Sequence, residues 1–223
     1  MNFGLTEKQI ELRAKVRDFA EKEVKPVAAF NDENEKFDVE LTKKMGQLGL
    51  LGMCVPKEYG GQELDTLSYI IAVEELARVD GSTAATIAAD NSLGIGPIKD
   101  YGTKEQKEKY LPRLCKDHLW GFGLTEETAG CDSRGTKSTA KLVDNQWVVN
   151  GSKIFITNSA TPMTLGSTIQ VISGESNGKP EFTAFLIENT IPGFTQRPMD
   201  RKMMWRASNT GELKFNNVKL SEA

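Results

Sequence analysis

The chain has 223 residues, of which 39% are hydrophobic and 26% are charged, a balance typical of folded globular proteins and not of disordered ones. The formal net charge is −3 with both signs mixed along the chain. This argues against a nucleic-acid or anionic-membrane surface, which needs a basic stripe. No run of roughly 18 apolar residues occurs, so no membrane-spanning helix is predicted.

The start of the chain, M-N-F-G-L-T-E-K-Q, lacks the basic and apolar regions of a signal peptide, so no secretory leader is predicted. Cys54, Cys115 and Cys131 fit neither a disulfide framework nor a zinc spacing, which favours a reducing compartment. The single histidine, His118, has no cysteine at ligand spacing. We therefore predict no metal site and expect His118 to be a solvated loop residue.

The first half of the chain shows the apolar periodicity of helices. Thr6 and Gln9 have the spacing of a capping box at the start of a long first helix. Asp38 is predicted to cap a second helix, and Gly49 suits the position just after its end. The apolar stripe of the first helix consists of Leu12, Val16, Phe19, Ala20, Val24 and Val27.

Two more apolar segments in this half predict helices. One spans residues 65–79, where the adjacent Glu74 and Glu75 point to different faces and predict one solvated and one buried carboxylate. The other is the alanine-rich segment 82–93. The inward residues of the first segment are expected to be Leu67, Ile70, Ile71 and Leu76. The second segment is expected to be broken by Gly94, Gly96 and Pro97.

The pattern changes near residue 119, where β-branched residues begin to alternate with polar ones. The dipeptides Asp144-Asn145 and Asn177-Gly178 are typical of tight turns between strands. The last segments, 211–215 and 218–220, are predicted to be separate short strands. The chain is thus predicted to be an α+β protein, with an all-α helical bundle domain at residues 1–118 and an antiparallel β-barrel or β-sandwich domain at residues 119–223.

Two stretches of the β part carry groups that suit a bound ligand, and they are Trp120 to Asp132 and Lys153 to Asn158. The first runs from apolar strand residues into a turn rich in backbone N–H groups and hydroxyls, which suit a phosphate or a polar ring edge. The second places Thr157 at the end of a β-branched and aromatic run. By composition alone Phe155 would belong to the β core and Glu126 would be exposed in its turn. No P-loop, Rossmann or nucleophile-elbow motif is present.

Short motifs follow one another in a fixed order along almost the whole chain. They are P-K-E-Y-G-G at 56–61, E-E-L-A at 74–77, S-L-G at 92–94, Y-G-T at 101–103, L-T-E at 124–126, A-G at 129–130, N-G-x-K at 150–153, I-T-N at 156–158, P-G-F at 192–194 and R-A-S at 206–208. Each motif alone is weak. Together and in this order they resemble the acyl-CoA dehydrogenase family of FAD flavoproteins.

The resemblance implies a flavin site. In the family, the L-T-E segment lies along the flavin and its pyrophosphate, and an aromatic-I-T segment covers the flavin ring with its threonine hydroxyl near N5. For this chain the implied FAD contacts are Phe122, Leu124, Thr125, Gly130, Cys131, Phe155, Ile156 and Thr157. The implied contacts to the acyl-CoA substrate are Cys131 and Ser173.

The implied reaction is α,β-dehydrogenation of an acyl-CoA thioester in fatty-acid β-oxidation, with hydride transfer to flavin N5 and an electron-transferring flavoprotein as the acceptor. A homotetramer in the bacterial cytoplasm or the mitochondrial matrix is also implied. The family's catalytic glutamate lies in a C-terminal helical domain that this sequence does not match, so no catalytic residue is assigned and the chain alone is expected to be inactive. Alternatives are a non-catalytic acyl-CoA or flavin-binding module, a subunit completed by a partner, or a relative acting as an oxidase, monooxygenase or enoyl-CoA reductase.

The chain departs from the family pattern at several positions near the implied site. Glu127 replaces a proline, Cys131 replaces a serine, and Met204 replaces a glycine. We interpret the cysteine as a neutral replacement, because it keeps the small size and the backbone N–H. Residues 161–167, T-P-M-T-L-G-S, replace a shorter link, which predicts an altered loop beside the flavin.

Overall fold

The computed structural model describes residues 4–221, which form two compact units. Residues 1–3, part of the stretch on which the leader prediction rests, and residues 222–223 lie outside the described residues. The helical unit extends to His118 and also includes Asp200–Ser208, whereas the β unit comprises Leu119–Met199 and the chain from Asn209 onward. The segment Asp200–Ser208 had been assigned to the β part from the sequence.

Seven α-helices form the described part of the helical unit, and none is long and apolar enough to cross a membrane. Thr6 and Gln9 form the predicted capping box, Asp38 caps the third helix, and Gly49 follows that helix with a φ of +85°. The helices are α1 Glu7–Phe19, α2 Lys25–Glu33, α3 Val39–Gln47, α4 Thr66–Ala77, α5 Gly81–Ala89, α6 Ile95–Tyr101 and α7 Lys104–Leu114.

Two π-helical turns join successive helices without a break, Ala20–Val24 between α1 and α2 and Asp90–Gly94 between α5 and α6. Each turn is followed within three residues by a proline, Pro26 or Pro97. Proline has no N–H and its ring clashes with the carbonyl four residues earlier, so a widened turn lets the helical path continue past it. The prediction that the alanine-rich helix breaks at Gly94, Gly96 and Pro97 is therefore wrong.

Helix α4 buries a different face from the one expected. Leu67 and Ile70 are 50% and 49% exposed, so the prediction that they point inward is wrong. The reason is Glu75, whose buried carboxylate accepts two hydrogen bonds of 2.7 Å from Arg17 and one of 3.2 Å from Arg78. This ion-paired carboxylate turns the helix so that the buried face consists of Ser68, Ile71, Ala72, Glu75 and Leu76.

Several hydrogen bonds attach the segment Asp200–Ser208 to the helical unit, among them one of 2.6 Å from the backbone N–H of Arg201 to Glu35. Arg206 donates to the backbone carbonyls of Asp32 and Glu33 at the end of α2, at 3.0 and 3.4 Å. It also forms an ion pair of 3.0 Å with Glu35. A cation at the carboxyl end of a helix satisfies free carbonyls and interacts favourably with the helix dipole.

The β unit is a seven-stranded sheet with the order β1-β4-β2-β3-β7-β6, in which β5 pairs with β4. All pairings are antiparallel except those of β4 with β1 and β2, so the predicted fold class is confirmed with a parallel addition. The strands are β1 Leu119–Gly123, β2 Thr139–Val143, β3 Gln146–Thr157, β4 Thr164–Ser176, β5 Lys179–Glu188, β6 Phe194–Pro198 and β7 Thr210–Ser221.

Local turn chemistry explains the hairpins of this sheet. The residues of both predicted turns, Asp144-Asn145 and Asn177-Gly178, have positive φ, as tight hairpin turns require. The last two predicted strands are instead one strand, β7, so that prediction is wrong. Strand β7 remains continuous because its pairing with β3 accommodates an irregularity here. Asn217 of β7 adopts a φ of +51° beside a register shift between Val149 and Gly151 of β3.

Gly166 on β4 leaves room for the buried ring of Trp120. A Cβ atom at Gly166 would lie 2.3 Å from the Ile187 carbonyl oxygen and 2.7 Å from the ring of Trp120. Trp120 is buried, and its indole N–H donates to Thr168 at 2.9 Å. The hydrophobic core cluster of the β unit contains Ala140, Val149, Ile156, Ile169, Val171, Ile187, Phe194, Leu213, Phe215, Val218 and Leu220.

The substitution Gly166→Ala should lower the free energy of unfolding by about 1–3 kcal/mol, because an overpacked core must shift a backbone carbonyl. Urea unfolding followed by circular dichroism measures the change. Gly174→Ala on the same strand is the control, since its nearest neighbour is the flexible end of Glu181 at 3.1 Å. Equal losses in the two variants would contradict the packing explanation.

The substitution Glu75→Gln should lower the free energy of unfolding by about 1.5–3 kcal/mol at neutral pH, because it weakens charge-assisted hydrogen bonds. Hydrogen bonding from Arg17 holds the pKa of Glu75 below its ordinary value. A depressed pKa contributes stability above the unfolded-state pKa of about 4.3, and this contribution is lost as the pH falls through the folded-state pKa.

The difference between the wild type and Glu75→Gln should therefore shrink when urea unfolding is repeated below about pH 4. The exposed neighbour provides the control, because Glu74→Gln should stay within about 0.5 kcal/mol of the wild type. A difference that is independent of pH would show that the carboxylate charge does not carry the effect.

Candidate functional site

The structure brings the two stretches singled out from the sequence side by side within the β unit. The N–H of Ile154 donates to the carbonyl oxygen of Thr125 at 2.9 Å. The ammonium group of the preceding residue, Lys153, donates to the carbonyl oxygen of Leu124 at 3.1 Å. Two consecutive residues of β3 thus bind two consecutive carbonyls after β1, which fixes the stretches against each other.

A buried ion pair reinforces this junction. The Lys153 Nζ atom lies 2.7 Å from Glu126 Oε1, and the two side chains are 0% and 7% exposed. The Glu126 carboxylate also accepts hydrogen bonds from the backbone N–H groups of Lys137 at 2.7 Å and Ser138 at 3.2 Å. The expectation that Glu126 is solvent-exposed is wrong, because three donors, Lys153 and the N–H groups of Lys137 and Ser138, compensate its burial. Its neighbour Glu127 is exposed.

Charge is retained in this pair by hydrogen bonding. Burial opposes ionisation of Glu126, but the bonds from Lys153, Lys137 and Ser138 outweigh it and hold the pKa of the carboxyl below its ordinary value. Burial lowers the pKa of the Lys153 ammonium, and the contact with Glu126 opposes that change. The contact between the two groups therefore favours the charged form of each.

The turn after the first stretch is closed by backbone bonds and open on its outer side. Glu126 and Ala129 exchange N–H to carbonyl hydrogen bonds of 3.0 and 3.1 Å. The following residues, Gly130 and Cys131, are exposed, and a Cβ atom at Gly130 would meet nothing within 4 Å. Packing within the described chain therefore does not require this glycine, and the surface beside it is open to a ligand.

The second stretch contains a strained aromatic residue. Phe155 has a φ of +61° and is 60% exposed, so the expectation from composition that it belongs to the β core is wrong. The pairing register of β3 with β7 shifts between Lys153 and Ile156, which leaves Phe155 in a bulge. Such strain persists only where the surroundings impose it, and it concentrates at functional sites.

The loop after this stretch is fixed by its own hydroxyl groups. The Thr164 hydroxyl accepts from the Thr161 N–H at 3.0 Å and donates to the Asn158 carbonyl at 2.7 Å. The Thr161 hydroxyl accepts from the Met163 N–H at 3.0 Å. The unusual residues of this loop therefore anchor the end of the second stretch to the start of β4.

The residues that the sequence implicated occupy different environments. Ile156 has its side chain in the core of the β unit, which leaves only its backbone available to a ligand. Ser173 lies apart on β4, where its hydroxyl is 2.6 Å from that of Thr183 on β5. Partly buried members of the set are Phe122, Leu124, Thr125 and Thr157, and exposed members are Gly130, Cys131 and Phe155.

Lys153 and Glu126 are the residues whose place in the site the sequence analysis missed. The available signal was Lys153, the one charged residue of the second stretch, together with acidic residues in the first stretch. In the part of the chain that the structure describes, no group of three or more His, Cys, Asp and Glu side chains could hold a metal ion. The His118 ring is engaged by Asp117 at 2.6 Å and Arg113 at 3.1 Å.

Comparison with known proteins assigns this arrangement to a family. Residues 6–118 match the model of the acyl-CoA dehydrogenase N-terminal domain, and residues 121–218 match that of the acyl-CoA dehydrogenase middle domain. The chain belongs to the acyl-CoA dehydrogenase family. The two strongest departures from ordinary β structure, the ion pair and the left-handed Phe155, lie within the middle-domain match.

Relatives in this family are similar over almost the whole chain. A short-chain specific acyl-CoA dehydrogenase of Clostridium acetobutylicum is 45% identical over 98% of this chain and 57% of its own length. The structure of butyryl-CoA dehydrogenase from Megasphaera elsdenii has a TM-score of 0.91 at 39% identity, covering 99% of this chain and 58% of that one.

A glutaryl-CoA dehydrogenase from Mycobacterium smegmatis, solved in complex with FADH2, has a TM-score of 0.90 at 32% identity, covering 97% of this chain and 54% of that one. The chain therefore spans little more than half the length of these relatives.

The strain at Phe155 can be measured by comparing two substitutions. Phe155→Gly should have a free energy of unfolding about 1 kcal/mol higher than Phe155→Ala, because glycine adopts a positive φ without the Cβ penalty. Both variants remove the ring, so the comparison isolates the backbone contribution in chemical denaturation. An alanine variant as stable as the glycine variant would show that the left-handed conformation is not imposed.

Proposed function

We propose that this chain forms the flavin-facing part of an FAD-dependent acyl-CoA dehydrogenase. The observation that carries the proposal is the hydrogen bond between Ile154 and Thr125. It joins the stretch that carries the exposed ring of Phe155 to the stretch that continues into the open turn at Gly130 and Cys131. A relative of this family solved with FADH2 supports the choice of cofactor.

The residues present fit a flavin. Phe155 provides an exposed aromatic surface for one part of the ring, and Gly130 leaves room for close approach by a bulky group. Phe122 and Leu124 are the apolar contacts that we assign, and the backbone of Ile156 is assigned a further contact. FAD supplies the hydride acceptor when it is bound.

Hydroxyl and backbone N–H groups of this chain stabilise charge at the polar edge of the ring. We assign the side chains of Thr125 and Thr157 to this role, because both are partly buried and each lies in one of the two joined stretches. Donors that are already oriented stabilise developing negative charge without a reorganisation cost. Backbone N–H groups near Gly130 and Cys131 are assigned to the pyrophosphate.

The proposed substrate is an acyl-CoA thioester, from which a base removes the α proton while the β hydrogen leaves as hydride. Glu75 and Glu126 are not this base, because both carboxylates are buried in ion pairs and have pKa values below the ordinary range. A group with a lowered pKa is a poorer proton acceptor. We therefore assign the base to neither of these two glutamates.

Substrate contacts are proposed for two residues of this chain, Cys131 and Ser173. Cys131 is exposed next to the open turn. Ser173 would contact the CoA portion while its hydroxyl keeps Thr183 as a partner.

We further propose an electron-transferring flavoprotein as the acceptor, assembly into a homotetramer, and a place in β-oxidation in the bacterial cytoplasm or the mitochondrial matrix. The family resemblance and the similarity to bacterial and mitochondrial relatives support these proposals.

Titration of the chain with FAD, followed by flavin fluorescence and absorbance, tests the cofactor. Phe155→Ala should weaken binding about tenfold, because the ring contributes stacking and excludes water. Leu142→Ala, at an exposed apolar side chain of β2, is the control and should bind like the wild type. FAD binding that does not depend on Phe155 would contradict the assignment of the second stretch.

Anaerobic addition of butyryl-CoA to the FAD-loaded chain tests the placement of the base. The flavin absorbance should persist, because neither buried glutamate accepts the α proton. Bleaching that is lost on Glu126→Gln or Glu75→Gln would overturn this placement.

A further inference from the structure

We propose that the Lys153–Glu126 ion pair is a positioning device: it holds the two stretches together and thereby keeps Phe155 in its left-handed, exposed conformation for the flavin. The inference rests on the proposed function, because it assigns the pair a role in shaping that site. Neither Lys153 nor Glu126 contacts the reacting atoms in this account. Both act through the backbone of residues 154 and 155.

The first support is the way the pair connects three segments. Lys153 reaches the carbonyl oxygen of Leu124 and the carboxylate of Glu126, both in the first stretch. The Glu126 carboxylate in turn receives the N–H groups of Lys137 and Ser138, just before β2. Removing the pair would break the side-chain links from β3 to both neighbouring segments at once.

The second support is that the pair stands where the sheet itself is interrupted. Lys153 pairs with Leu213 of β7, but the next regular pair is Ile156 with Gly211, so two residues of β3 between these pairs face one residue of β7. The N–H of Ile154 is directed to Thr125. At the bulge that contains Phe155, a hydrogen bond to the first stretch therefore replaces the regular hydrogen bonding between β3 and β7.

The third support is the close packing of the Lys153 side chain against Gly123. A Cβ atom at Gly123 would lie 3.1 and 3.4 Å from the Cγ and Cβ atoms of Lys153. The aliphatic part of the lysine therefore crosses closely over the last residue of β1. Hydrogen bonds of 3.2 Å between the Ser138 hydroxyl and both the N–H and the carbonyl of Ser152 hold the adjacent backbone.

The energetics of buried charges favour a positioning role over a general stabilising one. Desolvation offsets much of the attraction within a buried ion pair, and well-packed apolar side chains of similar size often replace such a pair without loss of stability. Apolar replacements lack directional bonds to the Leu124 carbonyl and to the N–H groups of Lys137 and Ser138. They would keep the volume and lose the constraint on the bulge.

The test uses the double variant Lys153→Met with Glu126→Leu, which avoids leaving one charge buried without its partner. Its melting temperature should stay within about 5 °C of the wild type. Without flavin, amide hydrogen exchange at Ile154 should become about tenfold faster, because the bond to Thr125 opens more often. FAD binding should weaken about tenfold. Lys219→Met, at an exposed residue of β7, is the control for loss of a lysine and should change none of these values.

Unchanged exchange at Ile154 and unchanged FAD affinity in a folded double variant would overturn the inference. A double variant that does not fold would also overturn it, since the pair would then be a requirement of the fold. The two proposals fail separately. If the wild type does not bind FAD, the proposed cofactor is wrong, while the exchange measurement still decides whether the pair fixes the bulge.

Discussion

The buried contact between Lys153 and Glu126 is the constraint on which the site depends. It occupies the junction of β1, β2 and β3, where a carboxylate and an ammonium group are both removed from water. Groups this costly to desolvate must be fully hydrogen-bonded, and their backbone partners are the Leu124 carbonyl and the N–H groups of Lys137 and Ser138. The charge pair thereby converts sequence-distant segments into one rigid surface.

Strain and exposure are concentrated at this surface, whereas the rest of the β unit follows ordinary rules. The hairpin turns use asparagine, aspartate and glycine where positive φ is needed. Phe155 combines a positive φ with a bulky side chain and 60% exposure, which neither folding propensity nor the hydrophobic effect favours. Residues that violate local preferences in this way are expected at functional sites.

Local features of the fold were predictable and long-range ones were not. The caps at Thr6 and Asp38 and the two hairpin turns depend on neighbouring residues, and all are confirmed. The burial of Glu126 depends on a lysine 27 positions away, and the buried face of α4 depends on Arg17 meeting Glu75 across 58 positions. The motif order indicated the family. No local pattern showed that Phe155 lies in a bulge of β3, where the neighbouring Ile154 bonds to Thr125.

Hydrogen exchange of the chain with and without saturating FAD tests the central claim most directly. The account predicts that FAD slows exchange in two separate segments, residues 124–131 and residues 154–157, and leaves the Asn177-Gly178 turn unchanged. Protection confined to other parts of the β unit, or absent from both segments at saturation, would contradict the assignment of these two stretches as the walls of a flavin site.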